Sequence, residues 1–259
     1  MDRITVAALQ QMKRQRRKIV GVVVYDVQMA RIADRAGVDL VSVGDSVGVN
    51  MWGHQHERDV TLGEMLIACK AVRRGVSRAV VSCDLPEAAE DVVAAARTLA
   101  AEGGADMVKV EADAQTVQAI VRAGIAVWAQ VSGQVSGQSA GGRGQGSGQS
   151  AVGSGQEIAG LVERAKALEA AGASMLDFRH SGPVAGPAVA DAVSIPVIGG
   201  LGGGPWLDGR VRAIVNAIGY SAAALDDNAD RYANVARVAL DAITSYADDV
   251  RGGRQVRGK

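Results

Sequence analysis

The stretch Val41-Ser42-Val43-Gly44-Asp45-Ser46-Val47-Gly48 constrains this chain more than any other. It reads as a short buried strand that stops at an acid, a hydroxyl and two glycines. A carboxylate at the carboxyl end of an apolar strand is poorly solvated unless it has a task, such as holding a cation. The arrangement recurs. Val80-Val81-Ser82-Cys83 runs into Asp84-Leu85-Pro86, and Asp106-Met107-Val108 runs into Lys109-Val110-Glu111. Three successive strands thus deliver two aspartates, then a lysine and a glutamate, to one expected rim.

The rest of the chain alternates in the same way. A helix capped by Thr5 opens it, and Ile19 to Tyr25 is a β-branched apolar run, hence a buried strand. A helix from Met29 to Ala36 stops at Gly37, and Leu40 to Val43 is the second strand. Thr61-Leu62-Gly63-Glu64 has the form of a capping box and starts the next helix. Strands follow at Ala79 to Cys83, Met107 to Val110, Ile125 to Val131, Ser174 to Phe178 and Ile195 to Gly199. Helices are expected over Glu87 to Ala101, Ala114 to Arg122, Glu157 to Ala171 and Val184 to Ala192. Past Val211 a helix and then an eighth strand near Ala217 to Tyr220 are expected, with a terminal helix from Asn228 to Tyr246. Eight such alternations predict an α/β protein with a closed (β/α)8 (TIM) barrel, a single domain over residues 1–250, followed by a loose basic tail, 251–259. One segment breaks the rhythm: residues 132–156 are almost all Gly, Ser, Gln and Ala. Such a tract buries little, so it reads as flexible, either a lid over the barrel mouth or disorder.

Composition narrows the classes. Hydrophobic residues make up 48% of 259, yet there is one Phe, so the core is built from small aliphatic side chains, as wrapped parallel sheets are. Equal counts of 28 acidic and 28 basic residues leave no net field to attract nucleic acid or an anionic membrane. The only basic run, Lys13 to Lys18, reads as a solvated helix end. Cys69 and Cys83 form neither a disulfide framework nor a metal-finger spacing and read as small core residues. With no apolar leader and no run of membrane length, a cytoplasmic protein is expected.

Active sites of such barrels lie at the carboxyl ends of the strands. This chain places there Tyr25 and Asp26, Asp45 and Ser46, Asp84, Lys109 and Glu111, Gln130, Asp177, Arg179 and His180, and the glycines after Gly199. Carboxylates with oxygen-rich neighbours and no Cys/His cluster suit a hard cation, Mg2+ above all. Lys109 and Ser46 would then face an anionic substrate group. A divalent ion chelated by a 2-oxo acid polarises the ketone and stabilises an enolate. The competing reading is that these acids only cap helices or pair with neighbouring bases. His54 and His56 read as a surface turn, and Asp39, Asp91 and the acids beyond Asp226 as solvated faces.

The same residues carry a family resemblance. Val43-Gly44-Asp45-Ser46-Val47-Gly48, Gly53-His54, Ala71-Val72-Arg73-Arg74-Gly75, Asp84-Leu85-Pro86 and Met107-Val108-Lys109-Val110-Glu111 resemble ketopantoate (3-methyl-2-oxobutanoate) hydroxymethyltransferases. Ala167 to Ala173 and Ile195-Pro196-Val197-Ile198-Gly199 extend the likeness, which spans roughly residues 5–219. These are barrels of the phosphoenolpyruvate-mutase type that move a one-carbon unit from methylenetetrahydrofolate onto a 2-oxo acid, in pantothenate biosynthesis. The resemblance implies Asp45, Asp84 and Glu111 at Mg2+. It places Ser46 and Lys109 on the substrate carboxylate, Tyr25 in the pocket lining, and a homo-oligomer, with a decamer as one candidate form. It also exposes departures. The family's proton-abstracting glutamate falls on Arg179, its strand-five histidine on Gln130, and its His-Asp pair before the last strand on Val215-Asn216. Arginine cannot act as a base at neutral pH, although it can bind an anion. Asp177, two residues earlier, is a substitute base that Arg179 would weaken, and His180 is another. The leading expectation is a paralogue with an altered substrate, Arg179 and Gln130 facing an extra polar or negative group. The alternatives are a carbon–carbon lyase on a 2-oxo acid and a non-catalytic barrel.

Overall fold

The computed structural model describes residues 2–131, 155–200 and 204–254. The expectations for most of the Gly/Ser/Gln tract, for residues 201–203 and for the basic tail beyond 254 lie outside the described residues. The structure divides into two compact units, Met1–Arg212 and Ala213–Lys259.

The first unit holds the barrel. Eight parallel strands close in sequence order: β1 (Ile19–Val23), β2 (Leu40–Val43), β3 (Val80–Asp84), β4 (Met107–Val110), β5 (Val127–Gln130), β6 (Met175–Asp177), β7 (Val197–Gly199) and β8 (Gly209–Ala213). Around them lie α2 (Val27–Ala36), α3 (Leu62–Gly75), α4 (Val92–Ala101), α5 (Ala114–Arg122), α6 (Gly155–Ala170) and α7 (Ala185–Ala192). Local chemistry sets several helix ends. The Thr61 hydroxyl accepts from the Glu64 N–H while the Glu64 carboxylate accepts from the Thr61 N–H, closing a capping box that starts α3. Gly37 ends α2 at φ 85°, a left-handed turn that a side chain would oppose. Asp91 caps α4 by accepting from the Ala94 N–H, so that helix begins at Val92 and not at Glu87, and Asp91 is more than a solvated acid.

One end of the barrel is plugged. The opening helix α1 (Val6–Arg14) drives Leu9 and Met12 into a cluster with Ile19, Leu40, Val80, Met107, Trp128, Met175, Ile198 and Val211. The basic run at its end is mostly exposed, as expected, and is tied down at three points. Lys13 pairs with Asp208 at 3.0 Å, Lys18 donates to the Pro205 carbonyl, and Arg17 pairs with Asp39 at 2.9 Å. Asp39 itself is 4% exposed and accepts from the Val20 N–H, which corrects its reading as a solvated residue. Cys69 and Cys83 are both buried free thiols.

The eighth strand runs from Gly209 to Ala213, earlier than expected, and no helix lies between β7 and β8 among the described residues. Gly209 and Val211 are buried while Arg210 and Arg212 are not, an alternation that two outward arginines disguised. Val215-Asn216 therefore follows the last strand instead of preceding it.

The second unit contains α8 (Ile214–Ala217) and α9 (Val235–Arg251). Asn234 caps α9, and the helix begins seven residues later than the expected Asn228. Ala236 is its only buried residue. Among the described residues no helix is long and apolar enough to cross a membrane.

Candidate active site

The site grows out of period-two alternation on three strands. Val80 in β3, Met107 in β4 and Met175 in β6 belong to the apolar floor. Two residues along the same faces come Ser82, Lys109 and Asp177, all buried. Two further on come Asp84, Glu111 and Arg179. Strand register sets Asp84 beside Lys109 and Gln130 beside Asp177.

The charged side chains form an alternating chain across the mouth. Lys109 Nζ lies 3.2 Å from Asp84 Oδ2 and 3.6 Å from Asp177 Oδ2, and Arg179 Nε lies 3.2 Å from the same Asp177 oxygen. Lys109 also stands 5.6 Å above the Trp128 ring. Burial alone would lower the Lys109 pKa, but Asp84 and then Asp177 outweigh it and hold the ammonium above its ordinary value. Arg179 is likewise raised: burial works against its charge, and Asp177, Asp84 and Asp45 more than compensate. Lys109 is therefore a fixed cation, unfit to accept a proton. Asp84 Oδ1 and Asp177 Oδ1 are buried with no hydrogen-bond partner.

Asp45 is part-buried beside this chain. Burial, then the charges of Asp84 and Glu57, push its carboxyl up to about 6. Its neighbour Ser46 shares a hydrogen bond of 3.0 Å with the Tyr25 hydroxyl, and Asn50 Nδ2 donates to that hydroxyl at 3.1 Å and to the Ser46 carbonyl at 2.9 Å. Burial raises the Tyr25 phenol, so it stays protonated. Gly48 permits the close turn that follows. A Cβ there would stand 2.4 Å from Val60 Cγ2 and 2.9 Å from His54 Nδ1.

A cavity of about 330 Å³ opens on this arrangement. Its polar wall comprises Asp45, Glu57, Asp84, Glu87, Lys109, Glu111, Gln130 and Arg179, with Leu85, Pro86, Val92 and Val110 supplying the rest. Gln130 Nε2 donates to Glu111 Oε2 at 2.8 Å. Of the expected site residues, Tyr25, Ser46 and Asp177 lie behind the wall and act on it through Asn50, Lys109 and Arg179. Asp26 caps α2, accepting from the Gln28 and Met29 N–H groups, and exposed His180 takes a left-handed φ of 51°; neither lines the cavity. His54 turns to Glu64 at 3.2 Å. The sequence reading missed Asn50, Glu57 and Glu87. The Ser46-to-Asn50 spacing of one helical turn was an available signal; nothing local marked the two glutamates.

The closed parallel barrel shares its fold with solved proteins that include members of the PEP mutase/isocitrate lyase superfamily. A 2,3-dimethylmalate lyase of that superfamily superposes with a TM-score of 0.59 at 15% identity, over 85% of this chain and 84% of that one. Phosphonopyruvate hydrolase, solved with oxalate and Mg2+, gives 0.62 at 16% identity, over 97% and 88%. Within that class the assignment is sharper, because the model of the ketopantoate hydroxymethyltransferase family matches residues 3–255. A 3-methyl-2-oxobutanoate hydroxymethyltransferase from Cyanothece sp. is 36% identical over 96% of both chains. The chain belongs to the ketopantoate hydroxymethyltransferase family, whose members are one-carbon transferases.

Proposed function

We propose that this protein transfers a hydroxymethyl unit to C3 of a 2-oxo acid, with methylenetetrahydrofolate as donor and Mg2+ at the Asp45–Asp84 pair. The observation that carries this reading is the single cavity wall on which those two acids meet Lys109 and Arg179. Among the described residues no three acid, His or Cys side chains converge closely enough to hold a metal by themselves. Mg2+ asks for less, since one or two carboxylates with waters and substrate oxygens suffice. The pair fits such an ion on two counts. Asp84 Oδ1 has no other partner, and burial, then the charges of Asp84 and Glu57, raise the Asp45 carboxyl to about 6. Glu111, fixed by Gln130, would support the ion's water shell. A phosphonopyruvate hydrolase of the same fold binds Mg2+ with oxalate, whose adjacent oxygens resemble those of a 2-oxo acid. When bound, the ion would polarise the ketone and stabilise the enolate.

The protein groups have separable tasks. Lys109 would bind the substrate carboxylate, its charge fixed by Asp84 and Asp177. The Tyr25–Ser46–Asn50 hydrogen bonds would hold the loop after β2 and with it the position of Asp45 on the wall. Asp177, 1% exposed and shared between two cations, would orient Arg179 more readily than accept a proton. Arg179 spends only its Nε on Asp177; its Nη nitrogens hydrogen-bond to no described residue, and its side chain is 36% exposed. Two free, parallel donors suit a second anionic group. We therefore favour a 2-oxo acid with a distal anionic substituent over an unadorned branched one. The exposed apolar face of α9 supports a homo-oligomer.

Deuterium exchange at C3 tests the reading. A panel of 2-oxo acids should exchange in a Mg2+-dependent manner, those with a distal carboxylate fastest. Asp84→Ala should abolish exchange and substrate binding together. Exchange that ignores Mg2+ or survives Asp84→Ala would refute the site, while folate-independent cleavage would favour a lyase.

A further inference from the structure

Enolate formation from a 2-oxo acid requires a proton acceptor beside C3, and the cavity offers few. Arg179 and Lys109 are permanently charged. Asp84 is held by Lys109, Glu111 accepts from Gln130, and Asp177 lies behind the wall between two cations. Asp45 is committed to the cation pair.

Two cavity carboxylates then remain uncommitted, Glu57 and Glu87, neither hydrogen-bonded nor ion-paired through its side chain among the described residues. Glu57 stands close enough for its charge to be among the main influences on Asp45, the Tyr25 phenol and Arg179. Glu57 is also firmly placed. It begins a short 3-10 turn, Glu57–Asp59, at whose start the Asp59 carboxylate accepts the His56 N–H at 2.9 Å. At its end the Val60 N–H donates to the Glu57 carbonyl at 3.1 Å, and the fully buried Val60 side chain packs where Gly48 leaves room. The backbone that carries Glu57 is thus fixed on both sides, and its exposed side chain lines the cavity.

We infer that Glu57 is the general base of this enzyme, taking the proton from C3 of the bound 2-oxo acid. The inference rests on the function proposed above and deepens it. In the step, the C3–H bond breaks, its proton passes to a Glu57 carboxylate oxygen, and its electron pair forms the C2–C3 double bond as negative charge moves to the carbonyl oxygen. Water releases the one-carbon unit from methylenetetrahydrofolate as formaldehyde, leaving tetrahydrofolate; the enolate pair then becomes the new carbon–carbon bond as the formaldehyde C=O pair moves onto its oxygen. The protonated Glu57 returns its proton, directly or through water, to that alkoxide and leaves the hydroxymethyl product.

The test separates binding from proton transfer. Glu57→Gln should lower the C3 exchange rate by at least about 100-fold, the usual contribution of a positioned base. Binding of Mg2+ and the 2-oxo acid, followed by calorimetry, should persist, with an unchanged thermal melt. Glu57→Asp should recover part of the exchange, as a shortened base would. Exchange that survives in Glu57→Gln, or that is lost in Glu87→Gln instead, overturns the assignment. Asp84→Ala separates the two levels. Loss of binding and exchange there supports the site itself, whatever Glu57 does. A wild-type protein that exchanges no 2-oxo acid overturns both.

Discussion

Asp45 shows how a single residue can report on the chemistry of the mouth. Its folded-state pKa stands near 6 against an ordinary 3.8, so the cation-free fold favours the neutral acid. By linkage, this group's contribution to stability is full below the ordinary value and is lost as pH rises through about 6. A divalent cation should reverse that loss. Mg2+ binding should therefore release about half a proton near pH 6, approach one proton near pH 5 and release almost none at pH 8, and its affinity should fall as the medium is acidified. Calorimetry in buffers of different ionisation enthalpy would measure this, and pH-independent affinity without proton release would count against Asp45 as a ligand. Asp45, Asp84, Lys109 and Glu111 were legible in the sequence because each ends or follows a short apolar strand. Glu57 was not. It sits in a polar loop whose shape depends on Gly48 and Val60, and only folding reveals which of its many charged residues turns inward.

At the level of elements, α1 acts as the floor of the barrel and not as a decorative leader. Leu9, 1% exposed, contacts the same cluster as residues from all eight strands. Leu9→Ala should cost about 2–5 kcal/mol of unfolding free energy, as comparable core truncations do. Urea denaturation would detect it, and a loss below about 1 kcal/mol would show that the plug is dispensable. The capped helices α1 and α3 were readable, since Thr5 and the Thr61–Glu64 pair satisfy backbone N–H groups within a few residues. The eighth strand misled because Arg210 and Arg212 on its outer face resemble a helix surface, and its inner face offers only Gly209 and Val211. The late start of α4 followed from Asp91, a cap that looked like one more exposed acid.

The whole molecule was legible as a barrel because eight repetitions of one motif leave little else to build; the smaller unit after Arg212 carries no such repeat. That unit ends in α9, where Val235, Ala239, Ile243, Tyr246 and Val250 share one face. Ile243 is 65% exposed, Tyr246 57% and Val250 53%. In the homo-oligomer proposed above, this exposed apolar stripe would be the surface that a second copy of the chain covers. Sedimentation should find an assembly larger than one subunit, and Ile243→Asp with Tyr246→Asp should dissociate it while leaving secondary structure intact. A wild-type chain that sediments as a monomer at micromolar concentration would remove the stripe's supposed role.

The stacking of oily, then polar, then charged side chains along β3, β4 and β6 has a further consequence. Each of these strands is a ruler with two-residue graduations, so deleting one residue inside β4 would swing Lys109 round to the helices and silence the mouth at a stroke. Exchanging the topmost graduation leaves the two beneath untouched. Arg179 occupies that topmost graduation, just past the end of β6, so replacing it should alter what the mouth grasps without disturbing what holds it up.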